Sequence, residues 1–220
     1  MANLKTFLFI FLTFMVFEVH SRDDLSGKKI AVIGDSYVRN HTNSIEDTWH
    51  YKFAQKYGME YFNYGRNGNS IAYDNDRWGE GMYKRYKIIP DSIDYIVVIG
   101  GHNDSHHLET IGGIEQFREK MKILCEGLIN KYPAAKIFFF TRWTCENFEG
   151  SNAEKVVDTM IEVCGIYWIP IFDSARKSGI HAGNEAFRAI YFHKETDDAH
   201  LNGKGHDRFL NVAENFILQY

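Results

Sequence analysis

The sequence predicts an α/β protein, a three-layer α/β/α sandwich in which helices cover both faces of a parallel sheet. Four short segments are apolar without strict alternation and are rich in β-branched and aromatic residues, which is typical of strands covered on both faces. Helical patterns, with apolar residues three and four positions apart, separate these segments. This alternation, without an internal repeat or a low-complexity linker, favours a parallel sheet between two layers of helices.

The predicted strands are short. The four strong segments span residues 29–33, 93–99, 136–141 and 166–172, and a weaker one spans 60–64. Pro170 has no N–H for a ladder hydrogen bond, so the last strand is expected at an edge of the sheet. Ligands of such folds bind beyond the carboxyl ends of the strands, and the polar residues that follow each strand are therefore candidates for a functional site.

Four helices are predicted from the spacing of their apolar residues. Three of them span residues 111–131, 153–164 and 204–217, and the fourth contains Trp49, Phe53 and Tyr57. Ser44 and Asp47 precede this fourth helix and are spaced as in a capping box, which predicts where it begins.

The N-terminal residues differ from the rest of the chain. Lys5 precedes an apolar run over residues 7–17 that only Thr13 interrupts, and this run is too short to span a bilayer comfortably. A basic start, an apolar run and a small residue soon after it match a secretory signal peptide, with cleavage after Ser21. We therefore expect a signal peptide over residues 1–21, one mature domain over 22–220 without a membrane span, and export to the periplasm or the extracellular space. An uncleaved N-terminal anchor is the alternative.

Composition excludes several classes of function. The formal net charge is −4 and there is no run of Lys and Arg, so no nucleic-acid surface is expected. The three cysteines are too few and too widely spaced for a disulfide framework or a zinc cluster. Cys125 and Cys164 lie on predicted helices and are expected to be small buried residues, with a Cys145–Cys164 disulfide as the alternative in an exported protein. No cofactor is predicted.

Two blocks of residues that could carry chemistry follow the first two strong strands, over residues 29–33 and 93–99. Gly34-Asp35-Ser36 ends the first strand, where the glycine permits a sharp turn and the next helix directs its positive end toward developing negative charge. By itself this tripeptide could equally be a helix cap. Asn103, in the block over residues 100–104, could offer its side-chain N–H groups to an oxyanion, and an Asx turn is the simpler alternative.

Two further blocks complete the set. Gly68 lies in the block over residues 63–70, after the weaker strand, and could supply a backbone N–H donor, although an isolated glycine would indicate only a turn. Asp197 stands three residues before His200 in a loop. A carboxylate at that spacing can accept the imidazole Nδ1–H and leave Nε2 free to deprotonate a serine. With ten histidines in the chain, such a pair alone proves little.

Together the four blocks resemble, in order, the signature of the SGNH hydrolases, the GDSL-like lipases and esterases, across residues 28–218. The resemblance implies a flavodoxin-like parallel sheet of five strands in the order 2-1-3-4-5. It also implies a carboxylic ester hydrolase that uses an acyl-enzyme mechanism.

The resemblance also implies a role for each motif residue. Ser36 would be the nucleophile, His200 the general base and Asp197 the partner that orients the base. The Ser36 and Gly68 backbone N–H groups and the Asn103 side chain would form the oxyanion hole.

Substrate choice is less well defined. Tyr37 stands where many relatives carry an aliphatic residue, and His102 fills the variable position of Gly-x-Asn-Asp, so both are candidate substrate-binding residues with Trp143. Export, the absence of an extended apolar lid and aromatic residues near the expected rim favour short acyl esters, particularly O-acetyl groups on carbohydrate. These rim candidates are Tyr37, Trp49, Tyr73, Trp78 and Trp143, although aromatic residues near a sheet are more often core.

Three alternatives stay open at this point. The first is a lipase or thioesterase of the same fold, and the second is a non-catalytic carbohydrate-binding relative. The third is a metallohydrolase, because His102, His106 and His107 lie close to Asp104 in the sequence. Solvated loop histidines explain this cluster more simply, since no second group at a ligand spacing supports a metal.

Overall fold

Five parallel strands form the central sheet of the computed structural model, which describes residues 25–220. The strands are β1 (Lys29–Gly34), β2 (Glu60–Gly65), β3 (Tyr95–Ile99), β4 (Lys136–Phe140) and β5 (Ile171–Phe172). Their order is β2-β1-β3-β4-β5, which confirms the predicted sheet and places β5, which begins directly after Pro170, at an edge. Every neighbouring pair is parallel.

The strands also end in register, and this alignment creates the site. Gly34 pairs with Gly65 on one side and with Ile99 on the other, and Ile99 pairs with Phe140. Residues that leave four different strands therefore emerge at the same edge of the sheet.

Helices connect the strands and cover the sheet. They are α1 (Ser36–Arg39), α2 (Trp49–Lys56), α3 (Met82–Arg85), α4 (His102–His106), α5 (Leu108–Ile111), α6 (Ile114–Lys131), α7 (Asn152–Ile166), α8 (Ser174–Lys177), α9 (Glu185–Tyr191) and α10 (Gly203–Leu218). Short 3₁₀ helices span Ile45–Asp47 and Tyr86–Ile88.

The side chains of the sheet alternate between two apolar layers, one on each face. In β1, Ile30 and Val32 pack with residues of α2 and α10, whereas Ala31 and Ile33 pack with residues of α3, α6 and α7. Since successive side chains of a strand point to opposite faces, the central strands are apolar on both sides. This confirms the three-layer architecture.

The last predicted strand is much shorter than expected, because α7 continues through Ile166. Beyond it, the Trp168 N–H donates to the Gly165 carbonyl, and the Ile169 N–H donates to the Cys164 carbonyl. Trp168 has a φ of 56°, so this is a Schellman termination with tryptophan where glycine is usual. The nearby glycine, Gly165, lies inside α7 rather than at position 168, and the apolar residues at 166–169 were wrongly assigned to a strand.

Two other boundaries differ from the prediction. Gly112 and Gly113 have φ values of 99° and 87°, which a helix cannot contain, so α6 begins at Ile114 rather than at Ile111. Ser44 caps the 3₁₀ helix Ile45–Asp47 instead of α2, and the Thr48 side chain caps α2 by accepting the Tyr51 N–H. The capping-box pattern therefore marked the start of the 3₁₀ helix rather than the start of α2.

All three cysteines are free. Cys125 and Cys164 are buried in the same apolar layer, between α6 and α7, as the sequence predicted. A Cys145–Cys164 disulfide is not formed, because Cys164 is enclosed in that layer while Cys145 is partly exposed.

The predicted signal peptide, residues 1–21, lies outside the described residues. Between residues 25 and 220 there is no helix that is both long enough and apolar enough to cross a membrane.

The end of α7 gives a test of the fold. Trp168→Gly should raise the free energy of unfolding by about 1 kcal/mol, because glycine adopts a positive φ without the steric cost paid by other residues, and the lost side chain is 93% exposed. Trp168→Ala removes the same ring without relieving the backbone, and it should leave stability nearly unchanged. Urea unfolding of both variants measures the difference, and equal effects would contradict the assigned conformation.

Candidate active site

Ser36 is the first residue of α1, and only Asp35 separates it from the end of β1. Gly34 is required at this turn, because a Cβ there would lie 2.4 Å from Val38 Cγ2 and 2.6 Å from the Ile99 carbonyl oxygen. Asp35 caps the helix by accepting the Tyr37 N–H at 2.8 Å. As the first helical residue, Ser36 has a backbone N–H without an intrahelical acceptor, which leaves a donor beside its own hydroxyl.

The structure brings Ser36, His200 and Asp197 together, although 164 positions separate the first two. His200 Nε2 lies 2.9 Å from Ser36 Oγ, and His200 Nδ1 lies 2.9 Å from Asp197 Oδ2. The ionised carboxylate can only accept a hydrogen bond, so Nδ1 carries the proton and Nε2 is the acceptor for the serine hydroxyl. The loop thus presents a basic nitrogen to Ser36.

Local hydrogen bonds hold the loop that carries this pair. Asp197 Oδ1 accepts the backbone N–H groups of Ala199 and His200, both at 2.9 Å. Partial burial acts to raise the pKa of Asp197, but the hydrogen bonds from the His200 side chain and from these two amides outweigh it and lower the pKa to about 2. Asp197 therefore stays ionised, as a partner for an imidazolium must.

The two other predicted oxyanion donors, Gly68 and Asn103, lie in the loop after β2 and in α4. Gly68 has a φ of 71° in the turn closed by the Asn69 N–H to the Arg66 carbonyl, and a Cβ there would lie 2.4 Å from the Trp78 ring. In α4, Asn103 Nδ2 donates to the Asn69 carbonyl at 2.9 Å and to Asp35 Oδ2 at 3.2 Å. Its amide is therefore engaged on both hydrogens in this state.

A second layer of buried polar residues fixes these loops. Asp104 accepts the N–H groups of Ile71 and Ala72 at 2.9 and 2.8 Å, which ties α4 to the loop after β2. Burial raises the pKa of Asp104 to about 6 despite these hydrogen bonds. Burial likewise raises the pKa of Asp35 to about 7; the Tyr37 N–H acts against this shift and the charge of Asp104 adds to it.

Arg85, which the sequence did not single out as a site residue, supports the same loops. Its buried guanidinium donates to the Gly34 carbonyl at 2.9 Å, to the Tyr64 carbonyl and to Asn69 Oδ1. It therefore joins the carboxyl ends of β1 and β2 and orients the residue whose carbonyl holds Asn103. No motif signals this role, because Arg85 lies on a short helix far from the four blocks.

A small pocket opens beside Ser36 and His200. Tyr37 and Trp143 line it, and their rings are stacked with centroids 5.3 Å apart. Both are almost fully buried, so they close the cavity and present no free face to a sugar. The remaining lining residues are Asn40, Ala199, Leu201 and His206.

His102 lies next to these two rings, and its Nδ1 is 3.4 Å from the Tyr37 hydroxyl. Burial, with the charge of Arg142 nearby, holds the pKa of His102 well below its usual range. The placement of Trp49 at the rim was wrong, since it is 2% exposed and packs on Phe140 and Phe209 in the core.

The loop histidines do not form a metal cluster. Within residues 25–220, no three His, Cys, Asp or Glu side chains are arranged to hold a metal ion. His102 and His106 instead contact each other edge to face, with ring centroids 4.8 Å apart.

A family model matches most of the chain. The model of the GDSL-like lipase/acylhydrolase family aligns with residues 32–208. The chain belongs to this family. It is therefore a carboxylic ester hydrolase, which confirms the resemblance to SGNH hydrolases seen in the sequence.

Solved structures agree with this GDSL-like fold. A Lactobacillus plantarum protein is 23% identical, with a TM-score of 0.75 over 89% of this chain and 98% of that one. A candidate GDSL-like lipase from Bacteroides ovatus is 20% identical, with a TM-score of 0.61 over 89% and 100%. An inhibitor-bound aryl esterase from M. smegmatis is 17% identical, with a TM-score of 0.60 over 86% and 98%. A search of curated proteins found no match.

The Asp197 carboxyl gives a test of this GDSL-like site that is independent of activity. Its folded pKa of about 2 lies below the ordinary 3.8, so its ionised form stabilises the fold above about pH 4, and this stabilisation is lost as the pH falls toward 2. Asp197→Asn should therefore cost about 1 to 2 kcal/mol at pH 6 and almost nothing near pH 2. Unfolding free energies of the native protein and the variant across this range measure the difference, and a constant difference would contradict the assigned contacts.

Proposed function

We propose that this chain is an exported serine esterase that removes short acyl groups, above all O-acetyl groups on carbohydrate. The observation that carries the proposal is the unbroken line of hydrogen bonds from Asp197 through His200 to the Ser36 hydroxyl, with both links at 2.9 Å. This is the arrangement that activates a serine for attack on an ester carbonyl.

In the proposed reaction, Ser36 Oγ forms a bond to the acyl carbon and its proton passes to His200 Nε2. The tetrahedral intermediate then breaks its bond to the alcohol, which leaves with that proton. Water attacks the acyl-enzyme by the same route in reverse and releases the acid. The Ser36 and Gly68 N–H groups and the Asn103 amide would stabilise the oxyanion, each donor contributing about 10²- to 10³-fold in rate.

The cavity beside Ser36 supports a short acyl group. Tyr37 and Trp143 stack on each other and are buried, so neither ring swings away without losing packing. An acetyl group needs little space, whereas an octanoyl chain would have to displace these two rings. A lipase or a thioesterase for long chains, the main alternative within the family, fits the site less well for this reason.

The open side of the site is polar, which favours a hydroxyl-rich alcohol over a lipid. His41 is exposed there, stacked on His200, and the Asn67 amide donates to the His41 carbonyl. A carbohydrate-binding relative without catalysis would share this polar edge, but it would not need the hydrogen-bonded serine and histidine. Export follows from the predicted signal peptide and rests on the sequence alone.

The first test concerns the nucleophile. Ser36→Ala should lower kcat/KM for p-nitrophenyl acetate by about 10⁶-fold, because removing the nucleophile of a serine hydrolase removes nearly all its activity, and it should abolish labelling by a fluorophosphonate. Ser92→Ala is the control, since Ser92 is exposed and precedes β3 at the opposite end of the sheet. Wild-type turnover by Ser36→Ala would refute the mechanism.

The second test concerns acyl length. The native enzyme should prefer acetyl to butyryl and octanoyl esters, and Tyr37→Leu should raise the octanoyl-to-acetyl ratio of kcat/KM by about 10-fold or more, since each methylene accommodated contributes about 1–3 kcal/mol. Preference of the native enzyme for octanoyl esters would contradict the proposal. Release of acetate from partially acetylated xylan, compared with p-nitrophenyl acetate, tests the carbohydrate part separately.

A further inference from the structure

His41 lies against His200, although it belongs to none of the four sequence motifs. The two imidazole rings are stacked, with centroids 4.6 Å apart and planes inclined by 26°. His41 is exposed and His200 is partly buried, so His41 covers one face of the inner ring.

The backbone at His41 is held in an unfavourable conformation. Asn40 and His41 have φ values of 62° and 51°, and two consecutive left-handed residues other than glycine are costly. Several hydrogen bonds hold these two residues in this conformation. The His41 N–H donates to the Ser36 carbonyl at 3.2 Å, and the His41 carbonyl accepts from Asn67 Nδ2 at 3.1 Å.

Asn40 supplies the anchor for this turn. It is buried, its Nδ2 donates to the Ser44 carbonyl, and its Oδ1 lies 3.4 Å from His206 Nε2 at the start of α10. The strained turn is thus fixed to the nucleophile helix, to the loop that carries Gly68 and to the last helix. Such over-determined strain is typical of functional sites.

The stacking supplies a restraint that Asp197 does not. Asp197 holds the Nδ1 edge of His200, but one edge contact leaves the ring plane free to tilt about that bond. His41 packs on the face of the ring and limits this tilt. The direction of Nε2, which must first face Ser36 and then the departing alcohol, therefore depends on both contacts.

We propose that His41 is a positioning residue that holds the plane of His200 for proton transfer to the leaving alcohol. This inference rests on the proposed function of Ser36 and His200. When the intermediate collapses, the bond between the acyl carbon and the alcohol oxygen breaks, and the Nε2 proton moves to that oxygen. An alkoxide leaving group needs this proton, whereas a p-nitrophenolate departs without it.

The test compares two leaving groups on one acyl group. His41→Asn removes the ring and retains a residue that tolerates a positive φ. It should lower kcat/KM for an alkyl acetate about 10-fold more than kcat/KM for p-nitrophenyl acetate, as expected when general acid catalysis is impaired. His41→Phe restores a ring that can stack, and it should return the ratio of the two substrates toward that of the native enzyme.

Controls separate this inference from folding and from the proposed function. His181→Asn alters an exposed histidine that contacts Phe187 instead, and it should leave both activities unchanged. Thermal melting shows whether each variant is folded. Equal losses on both substrates, no loss in His41→Asn, or the same ratio in His41→Asn and His41→Phe would overturn the role of the ring. Activity in Ser36→Ala would instead overturn the mechanism on which it rests.

Discussion

The hydrogen bond between Ser36 Oγ and His200 Nε2, 2.9 Å long, is the contact on which the site depends. It joins the end of β1 to the loop before α10, so the sheet, the covering helices and the register of the strands must all be formed before it can be made. The aligned carboxyl ends of β1, β2 and β3 bring the other predicted donors to the same edge. The proposed chemistry is therefore a property of the whole fold, while substrate preference depends on the side chains that surround this bond.

Buried polar residues hold the loops together at this edge of the sheet. Burying a charge is costly unless hydrogen bonds compensate it, and Arg85 and Asp104 are compensated by backbone groups of the loops that they join. Arg142, also buried, donates to Ser105 Oγ at 2.8 Å, and Ser105 in turn donates to the His102 carbonyl. These polar contacts connect α4 with the loops after β1, β2 and β4. The polar groups that make them have no other hydrogen-bond partner in an apolar core. These contacts hold the loops of the site in place without a substrate.

The sequence predicted the first four strands, the edge position of the last one and the grouping of Ser36, Asp197 and His200, because each rests on a local pattern or an ordered motif. What it did not predict has a common physical cause. Trp168, Asn40 and His41 adopt positive φ without being glycine, so nothing in their identity marks the end of α7 or the turn that brings His41 to His200. Arg85 was missed because its role is defined only by carbonyl groups that the fold brings near. The rim position of Trp49 was wrong because its spacing with Phe53 also places it on the apolar face of a helix, and that face packs in the core.

The hydrogen bond between Asn103 and Asp35 bears on how the site would accept the negative charge of an oxyanion. Asn103 Nδ2 donates to both Asn69 and Asp35, and the contact to Asp35 is the longer at 3.2 Å. In the proposed reaction the oxyanion must take one of these hydrogens. Burial raises the pKa of Asp35 to about 7, and a carboxyl in its neutral form accepts a hydrogen bond more weakly than a carboxylate does. In the proposed reaction the oxyanion would compete with this weaker acceptor for the Asn103 amide, and the exchange would stabilise the intermediate more than the substrate, as catalysis requires.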